Sequence, residues 1–314
     1  MKLSKELLNN LIQITSKSAI ACYEFIGKNE KILADKAATD VMRLELNKLN
    51  INGEVVIGEG ELDEAPMLYI GEKIGKGNGL EIDIAVDPVE GTNFVAKNLP
   101  GSMSVLAIAE KGNLFNAPET YMDKIATGSH IPKDVLDLDY SVEKNIRNYS
   151  EATNKKINDI TVCILDRPRH SNIISELKRL KVNIKYISDG DILGVLLITN
   201  PKFGVDIFMG TGGGPEGVIS AAALDSLDCK FQGRFLFKTN QDVQRANKMG
   251  IKDLKKKYEI DEIIKGESIF CASAITSSEL MNGIVKKNDK FLVETIFTHN
   301  KPNLEYVKKE ISIT

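Results

Sequence analysis

The sequence predicts an α/β protein with two lobes. Apolar stripes at helical spacing lie near the N-terminus, short apolar strand-like runs follow them, and strand-like and helix-like segments alternate from about residue 160. A chain of 314 residues can form one large domain or two packed lobes. Because the polar stretch at residues 150–160 marks a boundary, we expect an N-terminal α+β lobe over residues 1–155 and a C-terminal α/β lobe over residues 156–314.

Two helices and a mostly β layer are predicted for the first half. The first helix spans residues 4–27, because Ser4 suits an N-cap, apolar residues recur every three or four positions, and Gly27 suits a helix end. The other predicted elements of this half are a helix at 35–49, strands at 54–58 and 80–86, and a hairpin at 104–118 that turns at Lys111-Gly112.

Strands and helices alternate in the second half. The predicted strands lie at 160–165, 182–188 and 205–210, and the predicted helices at 170–181, 191–200 and 215–227. This spacing is typical of βα units, so we expect a sheet with helices packed on it. The lysine-rich residues 238–266 are predicted to be helix and loop.

The composition excludes several classes of protein. With 41 basic and 44 acidic residues, the net charge of −3 predicts neither a nucleic-acid-binding surface nor an acidic tail. No apolar run approaches the roughly 20 residues that span a bilayer, so we expect a soluble, cytoplasmic protein with no membrane partner. Cys22, Cys163, Cys229 and Cys271 are scattered in apolar surroundings, which favours buried thiols over disulfides or a zinc site.

Acidic residues concentrate where the first-half strands end. The segment "IGEGELDE" carries Glu59, Glu61, Asp63 and Glu64, and "DPVEGT" carries Asp87 and Glu90. Clustered carboxylates repel unless a cation lies between them, and oxygen ligands without histidine or cysteine suit Mg²⁺ or Mn²⁺. Taken alone, "GEGELDE" is better explained as a solvated loop, whereas "DPVEGT" after a strand favours one or two divalent metal ions.

The spacing within "DPVEGT" has a physical explanation. Pro88 restricts Asp87 to extended backbone, so that Asp87 and Glu90 can converge on one side of a tight turn. Gly91 lets the backbone approach a ligand closely. Thr92 then stands near the start of a helix or turn, where its hydroxyl and backbone amides can meet a phosphate or an attacking water.

Several longer strings resemble one protein family. In order, they are "VVIGEGELDEAPMLYIGEKIG", "DIAVDPVEGT", "NAPETYMDKIATG", "RPRH", "SDGD" and "GTGGGPEGVISAAAL". Their order and rough spacing resemble the class II fructose-1,6-bisphosphatases, bacterial members of the lithium-sensitive, metal-dependent sugar-phosphatase superfamily. The resemblance covers residues 1–237 densely and resumes at 268–284. It implies the layered α-β-α-β-α sandwich of sugar phosphatases.

The resemblance implies a set of metal ligands. Asp35 and Glu59 are similar to the ligands of one metal site, and Asp87, Glu90 and Glu216 to those of a second. Since Glu216 belongs to the second half, the resemblance implies a site that draws on both lobes. Such clefts commonly bind substrates.

The resemblance also implies catalytic and substrate-binding residues. Thr92 would orient the attacking water with Asp35 as its hydrogen-bond partner, so Thr92, Asp35 and Glu59 are the implied catalytic residues. The implied substrate contacts are Glu90, Gly91, Thr92, Tyr121, Arg167, Arg169, Asp189, Asp191 and Gly213. Arginines suit a second, unreacting phosphate, and paired aspartates suit sugar hydroxyls. Without the resemblance, "RPRH" is better explained by a solvated strand-to-helix loop, and "SDGD" is equally well explained by a turn with a helix cap.

The glycine-rich string "GTGGGPEG" has an alternative interpretation as a dinucleotide-binding turn. Glu216 stands where the third glycine of that motif would be, and no ribose-binding acid follows in a second strand. We therefore expect the glycines to let backbone amides approach the sugar or its phosphate. His130, His170 and His299 have no neighbours in sequence that indicate ligands, and His170 is expected at a helix start.

The implied activity is hydrolysis of the 1-phosphate of D-fructose 1,6-bisphosphate to fructose 6-phosphate, a step of gluconeogenesis, with Mn²⁺ or Mg²⁺. Alternatives are the same chemistry on sedoheptulose 1,7-bisphosphate or inositol monophosphate, and, in another class, a non-catalytic phosphosugar-binding regulator. The family also implies a homodimer or homotetramer. Two departures concern quaternary packing and effector response: a shortened segment after "GRFLF", and Ala274 where the family tends to have glycine.

Overall fold

The computed structural model describes residues 3–58, 68–299 and 304–312. Its helices are α1 (Lys5–Ala21), α2 (Lys31–Leu46), α3 (Thr92–Lys97), α4 (Val142–Thr153), α5 (Ser171–Arg179), α6 (Asp191–Leu196), α7 (Gly214–Asp225), α8 (Asn240–Lys248) and α9 (Ile260–Ile263). Its strands are β1 (Ile51–Ile57), β2 (Lys73–Ile74), β3 (Leu80–Glu90), β4 (Met103–Glu110), β5 (Tyr121–Thr127), β6 (Thr161–Leu165), β7 (Asn183–Ile187), β8 (Ile207–Gly213), β9 (Lys230–Leu236), β10 (Tyr258–Glu259), β11 (Ser268–Ala274), β12 (Val285–Lys287), β13 (Lys290–Thr298) and β14 (Leu304–Ser312). The predicted α/β class is confirmed. None of the helices in these ranges combines the length and apolar character that a membrane span requires.

The chain forms two compact units. Unit 1 comprises Met1–Asn116 and Ile264–Thr314, and unit 2 comprises Ala117–Ile263. This division differs from the predicted lobes of residues 1–155 and 156–314. Strand pairing explains the difference, because β5 pairs with β8 and β9, whereas β11 returns to pair with β4.

Unit 1 is built on an eight-stranded sheet. Its strand order is β12-β13-β11-β4-β3-β1-β2, and β14 pairs with the other edge of β13. Ser4 caps α1 as predicted, since its hydroxyl accepts a hydrogen bond from the Leu7 amide at 3.1 Å. The apolar sides of α1 and α2 pack on the sheet, where Leu11 and Met42 join Ile84 in one buried cluster. β3 is thus held between β1 and β4 in the sheet and lies against α2.

The predicted hairpin over residues 104–118 was wrong. β4 is paired by β3 on one edge and by β11 on the other, so no edge remains for a returning strand. The turn itself is held by Asp83, whose carboxylate accepts hydrogen bonds from the amides of Gly112 at 2.7 Å and Leu114 at 3.2 Å. Burial raises the pKa of Asp83, and these backbone hydrogen bonds oppose that rise.

Unit 2 confirms the predicted alternation of strands and helices. Its six-stranded sheet has the order β10-β9-β5-β8-β6-β7, with β6 parallel to both β7 and β8. One face packs on α4 and α5, where Val162 lies in a buried cluster with Tyr149 and Leu177. The neighbouring residue Cys163 points to the opposite face, where α6 brings Gly194 against it. The sheet is therefore covered by helices on both faces.

All four cysteines are free and buried, as predicted.

Candidate active-site residues in the two units

The end of β3 carries the acidic motif of unit 1. We predicted that this strand ends at Val86, but it continues through Pro88 to Glu90. Asp87 pairs with Val105 and Glu90 with Met103, so β3 advances three residues where β4 advances two. This extra residue on β3 is a β-bulge. A proline is tolerated at such a bulge because the ladder hydrogen bond is interrupted there. The amide of Val89 instead donates to the Asp87 carboxylate at 3.1 Å, which fixes that side chain.

Gly91 joins the strand to α3. Its left-handed backbone, with φ 77° and ψ 54°, places Thr92 as the first residue of the helix, as predicted. A Cβ on Gly91 would lie 2.7 Å from Cδ2 of Phe94, so this position needs glycine for conformation and for space. Glu90 is 4% exposed, and its carbonyl accepts a hydrogen bond from the Ser102 hydroxyl at 2.8 Å.

A buried apolar cluster places Asp35 in the same region of unit 1. Ala34 of α2, Val89 of β3 and Val95 of α3 belong to this cluster, and Asp35 directly follows Ala34. The negative charge of Asp35, after the larger effect of burial, raises the pKa of the Cys22 thiol in the same cluster. The hydrogen bond that we predicted between Asp35 and the hydroxyl at the start of α3 stays a prediction.

The acidic residues of the first motif are Glu59, Glu61, Asp63 and Glu64, and they lie outside the described residues. The predicted metal-binding and catalytic roles of Glu59 therefore stay predictions.

In unit 2 the candidate substrate residues collect at one end of the sheet. Because β6, β7 and β8 are parallel, their carboxyl ends lie at the same edge, and Tyr121 at the start of β5 pairs in register with Gly213. The Arg169 guanidinium lies 5.0 Å from the centroid of the Tyr121 ring, and its Nε donates to the Thr211 carbonyl at 2.9 Å. Tyr121, Arg169 and Gly213 are thus brought together.

Arg167 and Asp189, two further predicted contacts, pair with each other at this end. The guanidinium of Arg167 lies 3.5 Å from the Asp189 carboxylate. Each charge is thereby partly compensated within the protein.

A buried lysine was missed in the sequence. Lys124 forms an ion pair with Asp191, and its ammonium donates to the Gly213 carbonyl at 2.6 Å. In β5 it lies on the same face as Met122 and Ala126, both buried, so strict alternation predicts that Lys124 points inward. A buried lysine needs an anionic partner, and that requirement is the signal that could have found it.

The first three glycines of "GTGGG" lie in the strand, not in a loop after it, and the last, Gly214, begins α7. β8 was predicted to end at residue 210 but runs to Gly213. A Cβ on Gly212 would lie 2.0 Å from Asp191 Oδ2, and one on Gly213 would lie 1.8 Å from Glu216 Oε2. These glycines therefore give two carboxylates the space to lie against the strand.

The donor set of unit 2 suits a divalent cation. Asp191 and Glu216 each offer a carboxylate oxygen within 4.8 Å of the other. Burial and then the negative charge of Asp191 raise the pKa of Glu216, while Lys124 lowers it. The Lys124 ammonium is the positive charge that compensates both carboxylates, Asp191 and Glu216. Because one positive charge faces two negative ones, a hard cation is favourable beside them.

His170 holds the loop after β6 against β8. It is fully buried, its Nδ1 donates to the Leu165 carbonyl at 2.7 Å, and its Nε2 accepts from the Thr211 amide at 2.7 Å. Burial, followed by the charge of Arg169, lowers the pKa of His170, whereas the two backbone hydrogen bonds and Asp123 raise it. This neutral imidazole positions the carbonyl that receives Arg169.

Comparison with known proteins places the chain in a family. A family model described as bacterial fructose-1,6-bisphosphatase, glpX-encoded, matches residues 5–310. The chain belongs to this family. The predicted resemblance to the class II enzymes is confirmed, since the chain is 39% identical over 311 residues to the Escherichia coli (strain K12) protein named fructose-1,6-bisphosphatase 1 class 2. That match covers 95% of this chain and 92% of the Escherichia coli protein.

Relatives from Prochlorococcus marinus are equally similar. The chain is 40% identical over 301 residues to the Prochlorococcus marinus (strain MIT 9515) protein named D-fructose 1,6-bisphosphatase class 2/sedoheptulose 1,7-bisphosphatase, covering 91% of this chain and 90% of that protein. Among solved structures, the extragenic suppressor protein suhB from Bartonella henselae is 12% identical with a TM-score of 0.38, covering 62% of this chain and 73% of its own.

Proposed function

We propose that the protein is a metal-dependent phosphatase that removes the 1-phosphate of D-fructose 1,6-bisphosphate, giving fructose 6-phosphate and phosphate. The observation that carries this proposal is the match at 39% identity, over 95% of this chain, to a protein named for that activity. The "DPVEGT" carboxylates at the end of β3 and the oxygen donors of unit 2 support the requirement for a metal.

The metal is Mn²⁺ or Mg²⁺ in this proposal. The proposed ligands are Asp35, Glu59, Asp87, Glu90 and Glu216, assigned from the sequence motifs. A bound metal ion lowers the pKa of a water molecule and stabilises negative charge on the phosphoryl oxygens. The Thr92 hydroxyl orients the attacking water and Asp35 accepts its hydrogen bond. The bulge and Gly91 support this assignment, because they fix the direction in which Thr92 leaves the strand.

The substrate residues of unit 2 orient the sugar bisphosphate. Arg169 and Arg167 meet the unreacting phosphate, and Tyr121 packs beside it. Asp189 and Asp191, which pair with Arg167 and Lys124, accept hydrogen bonds from sugar hydroxyls. The main chain at Gly213 completes the contact. Positioning of this kind is the main contribution of a protein to phosphoryl transfer.

Sedoheptulose 1,7-bisphosphate is a second candidate substrate. The observation that favours it is the name of the Prochlorococcus marinus relatives, which includes both activities. The same reaction chemistry serves both sugars, since each has a 1-phosphate and a second phosphate at the far end. We also propose a homodimer or homotetramer, to be measured by light scattering.

A comparison of substrates tests the proposal. The purified protein with Mn²⁺ is assayed for phosphate release from fructose 1,6-bisphosphate, sedoheptulose 1,7-bisphosphate and inositol monophosphate, and the sugar product is identified by NMR. We expect the two bisphosphates to be hydrolysed with a higher kcat/KM than inositol monophosphate, and fructose 6-phosphate to be the product from the first. Fructose 1-phosphate as the product, or a preference for inositol monophosphate, would contradict it.

A further inference from the structure

Two cations lie beside the same exposed aromatic ring in unit 2. Besides Arg169, the ammonium of Lys238 lies 5.1 Å from the centroid of the Tyr121 ring. Tyr121 itself is 44% exposed. Each cation gains a modest attraction from the ring face, but cations gathered on one ring also repel each other.

These two cations differ from Arg167 in their partners. Arg167 is paired with Asp189, whereas neither Arg169 nor Lys238 forms an ion pair with any residue in the described part of the chain. The guanidinium of Arg169 is nevertheless held in place by the Thr211 carbonyl. A fixed cation beside a second cation is a favourable place for an anion, because an anion removes their repulsion.

The backbone around Lys238 is also fixed. Lys238 follows β9, and its amide donates to the Asp242 carboxylate at 3.0 Å. Asp242 and Thr239 form a capping box at the start of α8, which sets where the chain turns. Lys238 stands two residues after the end of β9, and this fixed connection places its ammonium beside the ring of Tyr121.

We propose that Lys238 acts with Arg169 to bind the unreacting phosphate of the bisphosphate beside Tyr121, and so favours bisphosphates over monophosphates. This inference rests on the proposed function. The Arg169 guanidinium is a planar, directional hydrogen-bond donor. The Lys238 ammonium is a compact charge on a flexible side chain, so it can follow a phosphate whose position differs between substrates. None of the assigned substrate contacts includes Lys238.

Selectivity between two substrates tests this role. The ratio of kcat/KM for fructose 1,6-bisphosphate to kcat/KM for fructose 1-phosphate is measured for the wild type and Lys238→Gln. Because only the bisphosphate carries the second phosphate, we expect Lys238→Gln to lower this ratio about tenfold, the usual scale for losing a charge-assisted hydrogen bond. Lys144→Gln is the matched control. Lys144 is another lysine of unit 2 that lies beside an aromatic ring, with its ammonium 3.4 Å from the Tyr140 ring centroid. This control variant should leave the ratio unchanged.

Direct binding separates this inference from the proposed function. Calorimetry measures the dissociation constant of fructose 6-phosphate, which carries only the phosphate in question. We expect Lys238→Gln to weaken binding about tenfold and Lys238→Arg to weaken it less than about threefold. Equal affinity for the wild type and Lys238→Gln, or no binding by the wild type, would overturn the inference even if the bisphosphate is hydrolysed. Weakened binding without any hydrolysis would support this phosphate contact and contradict the proposed function.

Discussion

The ammonium of Lys124 on β5 forms an ion pair with Asp191, the first residue of α6, and both side chains are buried. Because the same ammonium also donates to the Gly213 carbonyl, it ties the start of α6 to the end of β8. Asp191 is thereby held beside Glu216, one of the proposed metal ligands. Lys124 is therefore a positioning residue for this end of the sheet.

Removal of Lys124 should strongly destabilise the protein. Lys124→Met leaves the Asp191 charge buried without its partner, and loss of one member of a buried pair costs about 3–5 kcal/mol. The free energy of unfolding in urea measures this loss. The control is Lys36→Met, since Lys36 pairs with Asp40 on the surface and such pairs contribute about 0–1 kcal/mol. Equal losses for the two variants would contradict the assigned role.

Replacement of Gly91 by alanine should impair both stability and activity. A left-handed φ of 77° costs a non-glycine residue about 1–2 kcal/mol, and the added Cβ would also meet the Phe94 ring at 2.7 Å. Since relief of this clash must move the start of α3, we expect kcat to fall with the loss of stability. Urea unfolding and phosphate release are measured on the same preparation.

Gly250→Ala is the matched control for this effect. Gly250 has a φ of 84°, but a Cβ there would have no heavy atom within 4 Å. We expect a similar loss of about 1–2 kcal/mol from backbone strain and an unchanged kcat. If Gly91→Ala also kept its kcat, the proposed importance of the position of Thr92 would be refuted.

His170 should make stability depend on pH. Burial lowers its pKa in the folded protein below the ordinary value of 6.5, so the unfolded chain binds the proton more readily. Stability linked to His170 is thus fully present above pH 6.5 and is lost as the pH falls from 6.5 toward the lower folded pKa.

Unfolding free energies at about pH 7.5 and about pH 5 measure this dependence. We expect His170→Asn to be less stable at the higher pH, because two hydrogen bonds change, but to lose less stability between the two pH values than the wild type. His130→Asn is the control, since His130 is exposed. The same pH dependence in His170→Asn as in the wild type would show that another group titrates.

Local patterns predicted much of the fold because they depend on nearby residues. Helical spacing and Ser4 identified α1, and the alternation from residue 160 identified the strands β6, β7 and β8 and the helices α5, α6 and α7. The "DPVEGT" motif located the start of α3. The family resemblance supplied residues such as Asp35, whose position beside β3 depends on packing that no local pattern encodes.

The errors arose where distant strands decide the structure. β11 pairs with β4, so the boundary between the units and the absence of the predicted hairpin depend on a segment more than 150 residues away. Pro88 and the glycines of β8 indicate strand ends in the sequence, but a bulge and two neighbouring carboxylates make them acceptable within strands. Lys124 was missed because its partner, Asp191, is far away in sequence.

Metal-dependent phosphate release is the most direct test of the central claim. Wild type, Glu90→Gln and the control Glu81→Gln, an exposed position on the same strand, are assayed on fructose 1,6-bisphosphate with Mn²⁺, with Mg²⁺ and with chelator. We expect turnover by the wild type and Glu81→Gln only with metal. For Glu90→Gln we expect at least about a hundredfold lower kcat, since loss of groups that merely support a ligand already costs about 10- to 100-fold. Turnover by the wild type in chelator, or by Glu90→Gln at the wild-type rate, would contradict the claim.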